Sequence, residues 1–502
     1  MKFASFSTVL AILLLLEIFC IRGIAMLADI FPLENTDAVI FTLTHNLSGA
    51  GRFAISIVLE ILKDSFVISL LTILVIIGIS KIPKTKNKLS FTRLTAAANI
   101  ICFGLLAITI YNNVPISKYY QKWNGTNNSF KSTNIYKTEY VNPDSVKIEF
   151  KEKRNLILIF LESIEYNFQD SSNGGGLNQN LIPEITDYIK QEQSFIPGGT
   201  KIAGTGWTIA DVIAKTCGIP MKKLSGIIEP KSLRKSPQHI TCLTDILHNN
   251  GYSTTVSKGA QLSFAGMNVF INAHSIDYGY GLDEYKRNWH VTGKVLNEWG
   301  VSDSAHYEFI KEHINKSAAT EKPWAIWFIT LNTHTPYGAT DPGCHISKDL
   351  PNTELIQSSI RCTSKQLDNF IKWAKAQEWY DKTTIAVMGD HASMSPSYMI
   401  GFKDFKQTHY WLNFFINSAT STTNYKRSFT SLDMLPTILE AIGAKIPGRA
   451  LGLGRSLYSL APTLLEQYGL DSLNKALESG NHNYDYYYYD KQKFPEPLSP
   501  GK

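Results

Sequence analysis

No RNA- or DNA-binding motif, no internal repeat and no Gly-Lys-Ser/Thr phosphate loop occurs in these 502 residues. The triple glycine Gly174-Gly175-Gly176 therefore reads as a surface loop. Cys-x-x-Cys spacing is absent, which argues against a zinc knuckle. Residues 25–30 offer no small-x-small cleavage site behind the first apolar run, which argues against a removable leader. Acidic residues are missing from positions 81–93, where Lys81, Lys84, Lys86, Lys88 and Arg93 stand together. That cluster supplies much of the formal charge of +6, so the charge is no argument for nucleic acid as a partner.

What the sequence does have is divided sharply near residue 112. Before it, three apolar runs approach the roughly 20 residues that cross a bilayer: residues 4–24, about 65–80, and 94–111. The second run is short and is expected to borrow apolar residues from 55–62. Residues 39–58 are interrupted by His45, Asn46, Ser48, Gly51 and Arg52, and read as interfacial or re-entrant. Glu17, inside the first run, reads either as a polar contact within a bundle or as an off-centre or protonated carboxyl. The basic loop at 81–93 is expected on the cytoplasmic side, which sends everything after Tyr111 outward.

Cysteine usage fits that topology. Cys217, Cys242, Cys344 and Cys362 fall in the exported part, an even number in an oxidising compartment. Pairing nearest neighbours gives Cys217–Cys242 and Cys344–Cys362, with zinc binding as the alternative. Cys20 and Cys102 lie in the apolar runs and are expected as buried small apolar residues.

Residues 112–149 are polar, with Tyr119, Tyr120 and Trp123, and read as a juxtamembrane connector. Residues 155–161 (NLILIFL), 324–331 (WAIWFITL) and 384–388 (TIAVM) have the length and continuity of buried parallel strands. Helical patterns fall between them at 181–193, 241–249 and 364–377. The alternation predicts an α/β sandwich with a mostly parallel central sheet behind N-terminal transmembrane helices. The expected division is 1–111 for the transmembrane helices, 112–149 for the connector, 150–446 for the α/β domain and 447–502 for a C-terminal extension. That extension, with its YDYYYYD stretch at 484–490, reads as an exposed tail or as a substrate- or membrane-contacting appendage.

Three of the apolar strands run into reactive residues: Glu162-Ser163, then Asn332-Thr333-His334-Thr335-Pro336, then Gly389-Asp390-His391. Open parallel sheets place their sites just beyond the carboxyl ends of strands. Gly204-Thr205-Gly206-Trp207-Thr208 delivers a hydroxyl to the start of a helix that Gly218 and Pro220 end, where free N–H groups favour anions. Taken alone, Thr208 could be a plain helix cap, Glu162 a strand-end ion pair, Asp390 a cap and His334 a satisfied histidine. Together, Glu162, Asp390, His391 and the Thr208 hydroxyl make a donor set suited to Mn²⁺, Mg²⁺ or Zn²⁺. A bound cation would lower the pKa of the threonine alcohol and orient its lone pair toward phosphorus, with His334 placed to bind phosphate or protonate a leaving oxygen.

The set Leu161-Glu162-Ser163, Gly204-Thr205-Gly206-Trp207-Thr208, Thr333-His334-Thr335-Pro336 and Gly389-Asp390-His391 resembles the alkaline phosphatase/sulfatase superfamily. Within it the membrane-anchored phosphoglycerol transferases, of the lipoteichoic-acid-synthase and glucan-decorating types, are most similar. Gly259-Ala260 and Phe264-Ala265-Gly266 add to the likeness, which covers residues 155–443.

The resemblance implies one Mn²⁺-type metal on Glu162, Thr208, Asp390 and His391, with Thr208 as nucleophile and with Trp207 and His334 meeting the substrate. It implies phosphatidylglycerol as donor, an exported glycan hydroxyl as acceptor, and a multi-pass protein of the bacterial inner membrane whose catalytic domain faces the periplasm or exterior. Phosphoethanolamine transfer and a non-catalytic binding role are the alternatives. Sulfate-ester hydrolysis is disfavoured, because Cys217-Gly218-Ile219-Pro220 misplaces the proline and lacks the arginine of a Cys/Ser-x-Pro-x-Arg setting.

Overall fold

The computed structural model describes residues 6–30, 51–80, 91–114, 116, 135–221, 240–335, 337–347, 349–393 and 409–479. The chain divides into two compact units, the first holding the N-terminal helices and the second everything described from Ile135 onward.

Helices α1 (Phe6–Ile30), α2 (Gly51–Ser80) and α3 (Phe91–Asn113) build the first unit. Each contains a stretch long and apolar enough to cross a membrane: Thr8–Ala28, Val58–Ile79 and Thr92–Asn113. The second draws on residues 58–62 as expected, because they continue the same helix. Leu14, Ile18 and Ile76 pack inside, against Leu94, Ala98 and Cys102. Leu16, Phe66 and Ile100 face outward, the surface expected of helices bathed in lipid. Cys20 is exposed and Cys102 only half-buried, a correction to the expectation that both are buried: Cys102 packs at the margin of the small cluster of Leu14, Ile18 and Ile76, and Cys20 lies outside it. Arg22 pairs with Asp64 at 2.5 Å, and Glu17 is half-buried on α1. Residues 39–50, Lys81, Lys84, Lys86, Lys88 and the aromatics Tyr119, Tyr120 and Trp123 lie outside the described residues.

The second unit is organised by a six-stranded sheet of β1 (Asn155–Leu161), β2 (Ser253–Lys258), β3 (Tyr278–Tyr280), β4 (Trp324–Ile329), β5 (Thr383–Gly389) and β6 (Asn413–Ile416). Its spatial order is β3-β2-β4-β1-β5-β6. All neighbours are parallel except β5 and β6, which run antiparallel at one edge. Residues 156–161 of β1 are 0–1% exposed, as befits a central strand covered on both faces.

Helix α4 (Pro183–Gln191) packs on α8 (Asn352–Lys375), against the face bearing Ile157, Ile159 and Phe328. Other helices are α5 (Thr208–Cys217), α6 (Leu243–Asn249), α7 (Asp303–Ala318) and α9 (Met434–Ala441). Helix α8 starts twelve residues before the predicted 364. Its first half, NTELIQSSIRCT, looks polar but buries Ile356, Ser359, Ile360 and Thr363 at helical spacing.

The C-terminal extension is partly integrated. Helix α10 (Leu470–Glu478) buries Leu473, Ala476 and Leu477, and Tyr136 donates its hydroxyl hydrogen to the Leu477 carbonyl at 2.9 Å. Arg427 forks onto Glu466 with two bonds of 2.8 Å. The tyrosine-rich stretch at 484–490 lies outside the described residues.

Candidate metal centre

Strands β1 and β5 are adjacent and in register, with Leu161 opposite Gly389, so the residues that follow them emerge side by side. Asp390 N–H donates to the Leu161 carbonyl at 3.0 Å, and Glu162 N–H donates to Thr330 Oγ1, just past β4, at 2.9 Å. Gly389 is needed at that crossing, since a Cβ there would stand 2.2 Å from the Ile164 carbonyl oxygen. One ligand atom from each of Glu162, Asp390 and His391 lies within 4.8 Å of the others, and all three residues are buried.

Helix α5 brings in the fourth donor. Trp207 precedes it in extended backbone (φ −154°, ψ 159°), and Gly218 closes it in the left-handed region at φ 67°, donating its N–H to Ala214. Thr208 is thus the first helical residue. Its hydroxyl donates to Glu162 Oε2 at 3.2 Å and lies 3.5 Å from His391 Nε2.

The hydrogen bonds around these groups show that the donor set fits a cation. Asp390 Oδ1 accepts from the N–H groups of Ser163 and His391, each at 2.7 Å. Asp390 Oδ2 is buried with no hydrogen-bond partner among the described residues. His391 Nδ1 donates to the Ala392 carbonyl at 2.7 Å, which turns the Nε2 lone pair inward. That lone pair lies 3.5 Å from Glu162 Oε1 and 3.5 Å from Asp390 Oδ2. Three acceptors converge on one space, and a positive ion is what such a space holds. Glu162 has its pKa pushed well above the carboxylate range, first by burial and then by the negative charge of Asp390; a cation relieves both.

Ser163 joins the two carboxylates. Besides its N–H to Asp390, its hydroxyl donates to Glu162 Oε1 at 2.8 Å, and its backbone holds φ at 55°. A left-handed serine is uncommon, and such strain clusters where function demands a fixed geometry.

His334 follows β4 beside these groups. Its ring lies 4.0 Å from that of Trp299 and its Nδ1 donates to the Thr335 carbonyl at 2.9 Å. Burial pushes its pKa down to about 4, so at neutral pH the ring presents a lone pair at Nε2 rather than a proton. Trp207 is buried rather than projecting into solvent. Cys217 is joined to Cys242, and Cys344 to Cys362.

Sequence reasoning missed three groups. Lys258, the last residue of β2, is buried, and its pKa falls to about 8: burial lowers it against the raising effect of Glu162 and Asp390. Its only sequence signal was a cation ending the TTVSK run before Gly259-Ala260. Glu165, fully buried, accepts from Ser393 N–H at 2.8 Å and from His409 Nδ1 at 2.7 Å, joining two residues 16 positions apart. Lys215 and Asp211 form a buried ion pair on α5.

An α/β domain with a cation-type centre at the carboxyl ends of adjacent parallel strands, faced by a helix-borne hydroxyl, defines the class. Residues 154–444 match the family described as Sulfatase, and the chain belongs to that family, within the alkaline phosphatase superfamily. Phosphoglycerol transferase I of Salmonella paratyphi B is 27% identical over 487 residues, 93% of this chain. The chain spans only 58% of that relative's length. Two solved structures share the fold at a TM-score of 0.51, each over 68% of this chain. One is an alkaline phosphatase superfamily protein from Vibrio parahaemolyticus, 18% identical over 81% of its chain. The other is the lipoteichoic acid synthase LtaP from Listeria monocytogenes, 15% identical over 96% of its chain.

Proposed function

We propose that this protein is a membrane-bound phosphotransferase that moves a phosphoglycerol group from phosphatidylglycerol to a hydroxyl of an exported glycan. The observation that carries the reading is the Thr208 hydroxyl, 3.2 Å from Glu162 Oε2 and 3.5 Å from His391 Nε2, at the mouth of a helix whose N–H groups favour phosphate. The 27% identity to phosphoglycerol transferase I over nearly the whole chain supports the group transferred.

Glu162, Thr208, Asp390 and His391 would hold one divalent ion, Mn²⁺ in this reading. Such an ion supplies a lowered alcohol pKa and a counter-charge for phosphate oxygens. Thr208 Oγ1 would form the bond to phosphorus, giving up its hydroxyl proton, as the bond to the diacylglycerol oxygen breaks and that oxygen takes up a proton, leaving diacylglycerol in the membrane and phosphoglycerol on Thr208. The acceptor hydroxyl then attacks the same phosphorus and frees Thr208. His334, with Nδ1 on the Thr335 carbonyl and its pKa lowered to about 4, would orient the acceptor by accepting a hydrogen bond at Nε2 rather than give the proton expected of it from the sequence, and the Lys258 ammonium balances phosphate charge. The three apolar helices hold the chain at the membrane, where a lipid donor is presented. We place residues 1–111 in the inner membrane as a multi-pass anchor, with the 150–446 domain and the 447–502 extension beyond it.

Membranes carrying labelled phosphatidylglycerol, incubated with the protein and Mn²⁺, are expected to release labelled diacylglycerol. Release from labelled phosphatidylethanolamine instead would move the protein to the phosphoethanolamine transferases, and release from neither would remove the donor assignment altogether.

A further inference from the structure

We infer that Lys215 is a positioning residue that sets the spacing between the Thr208 helix and the Asp390-His391 ligand pair. The inference rests on the metal reading above and assigns a role that no catalytic group requires.

Lys215 lies seven residues after Thr208 on α5, so the two share a helix face with Asp211 between them. Its side chain is fully buried. The ammonium makes a short contact to Asp211 Oδ2 and donates to the main-chain carbonyl of Asp390 at 2.7 Å. The Trp411 ring lies 4.0 Å from Nζ and completes the enclosure. An ammonium so enclosed is costly, and an apolar side chain would fill the space at less cost. Filling space therefore does not account for a lysine.

The carbonyl it grips does. Asp390 N–H is held by the Leu161 carbonyl and Oδ1 by the N–H groups of Ser163 and His391. The carbonyl belongs to the peptide joining Asp390 to His391, so its orientation sets where Oδ2 and Nε2 point relative to each other. A charge-assisted bond fixes that peptide plane and references it to the helix that carries the hydroxyl. Asp211 serves as the counter-charge that lets the ammonium stay buried. Outer groups of this kind orient metal ligands and tune affinity without touching the ion.

The inference is tested on the full chain in detergent micelles, by calorimetric titration with Mn²⁺ and by thermal unfolding. Lys215→Met strands the Asp211 carboxylate and is expected to lower stability. Lys215→Met with Asp211→Asn removes both charges; it should unfold near the wild-type temperature yet bind Mn²⁺ about 10- to 100-fold more weakly. Asp211→Asn alone keeps the ammonium on the carbonyl and should bind Mn²⁺ within about three-fold of wild type, well inside that 10- to 100-fold range. A double variant with wild-type affinity would reduce the pair to a structural ion pair and overturn the inference. So would an Asp211→Asn variant that loses as much affinity as Lys215→Met. Wild-type protein that takes up no Mn²⁺ would overturn the metal reading itself, an outcome distinct from either.

Discussion

Ser163 spans the two carboxylates of the centre, its N–H on Asp390 Oδ1 at 2.7 Å and its hydroxyl on Glu162 Oε1 at 2.8 Å. Ser163 thus engages one oxygen of each carboxylate, while Glu162 Oε2 accepts from Thr208 and Asp390 Oδ2 has no hydrogen-bond partner among the described residues. Removing the hydroxyl by Ser163→Ala keeps the N–H bond and should weaken Mn²⁺ binding about ten-fold. Ser163→Gly also relieves the left-handed backbone, so it should unfold at a higher temperature than the alanine variant while binding metal no better. Calorimetric titration and thermal unfolding of both variants check this.

Thr208→Ala should abolish transfer, by about a thousand-fold or more, because no other hydroxyl occupies that position on α5. Alanine is a good helix former at an initial helical position, so stability should change by about 1 kcal/mol or less. Diacylglycerol release from labelled phosphatidylglycerol reads the first outcome and thermal unfolding the second. Activity above one tenth of wild type would remove Thr208 from the role of nucleophile.

Lys258 makes a prediction with a sign. Its pKa is lowered to about 8, so the side chain is charged below that pH and neutral above it. If its charge helps hold the donor phosphate, KM for phosphatidylglycerol should rise as pH climbs from about 7 to 9. Lys258→Met should raise KM at pH 7 and flatten this alkaline rise. Steady-state kinetics at constant Mn²⁺ decide it, and an unchanged rise in the methionine variant would assign it elsewhere.

The Cys217–Cys242 bond closes a loop with a sequence separation of 25 and fastens the last residue of α5 to the start of α6. Breaking it by Cys217→Ser with Cys242→Ser should cost about 3 kcal/mol, the entropy of opening a loop of that size. The loss should appear as a lower unfolding temperature, which reductant then shifts only through the remaining Cys344–Cys362 bond. A double variant as stable as wild type would show that the loop is held by packing alone.

Much of the architecture was legible because it is written in runs. NLILIFL has the length and continuity of a strand buried on both faces, and its end at Leu161 put Glu162 at the sheet's carboxyl edge. Gly218 and Pro220 marked where α5 stops, so Thr208 fell at its start. The short strands were not legible. STTVSK carries four hydroxylic residues, and its burial comes from neighbours β3 and β4 rather than from its own apolar character. With β2 unseen, Lys258 had no strand end to mark it. Lys215 and Glu165 were hidden for a related reason: each acts through a main-chain partner more than 150 residues away. Pattern along a chain reports periodicity and says nothing of which carbonyl a distant ammonium will find.

One contact reaches across most of the soluble domain. Asn474 on α10 accepts the N–H of Ala203, immediately before the Gly204-Thr205-Gly206 loop, at 2.8 Å and across 271 residues of sequence. During synthesis Thr208 emerges well before Asn474, so the brace on its loop is supplied only when residue 474 leaves the ribosome. A nascent chain thus holds the loop before Thr208 without this brace until α10 docks. The order in which the parts are made sets when that loop is braced.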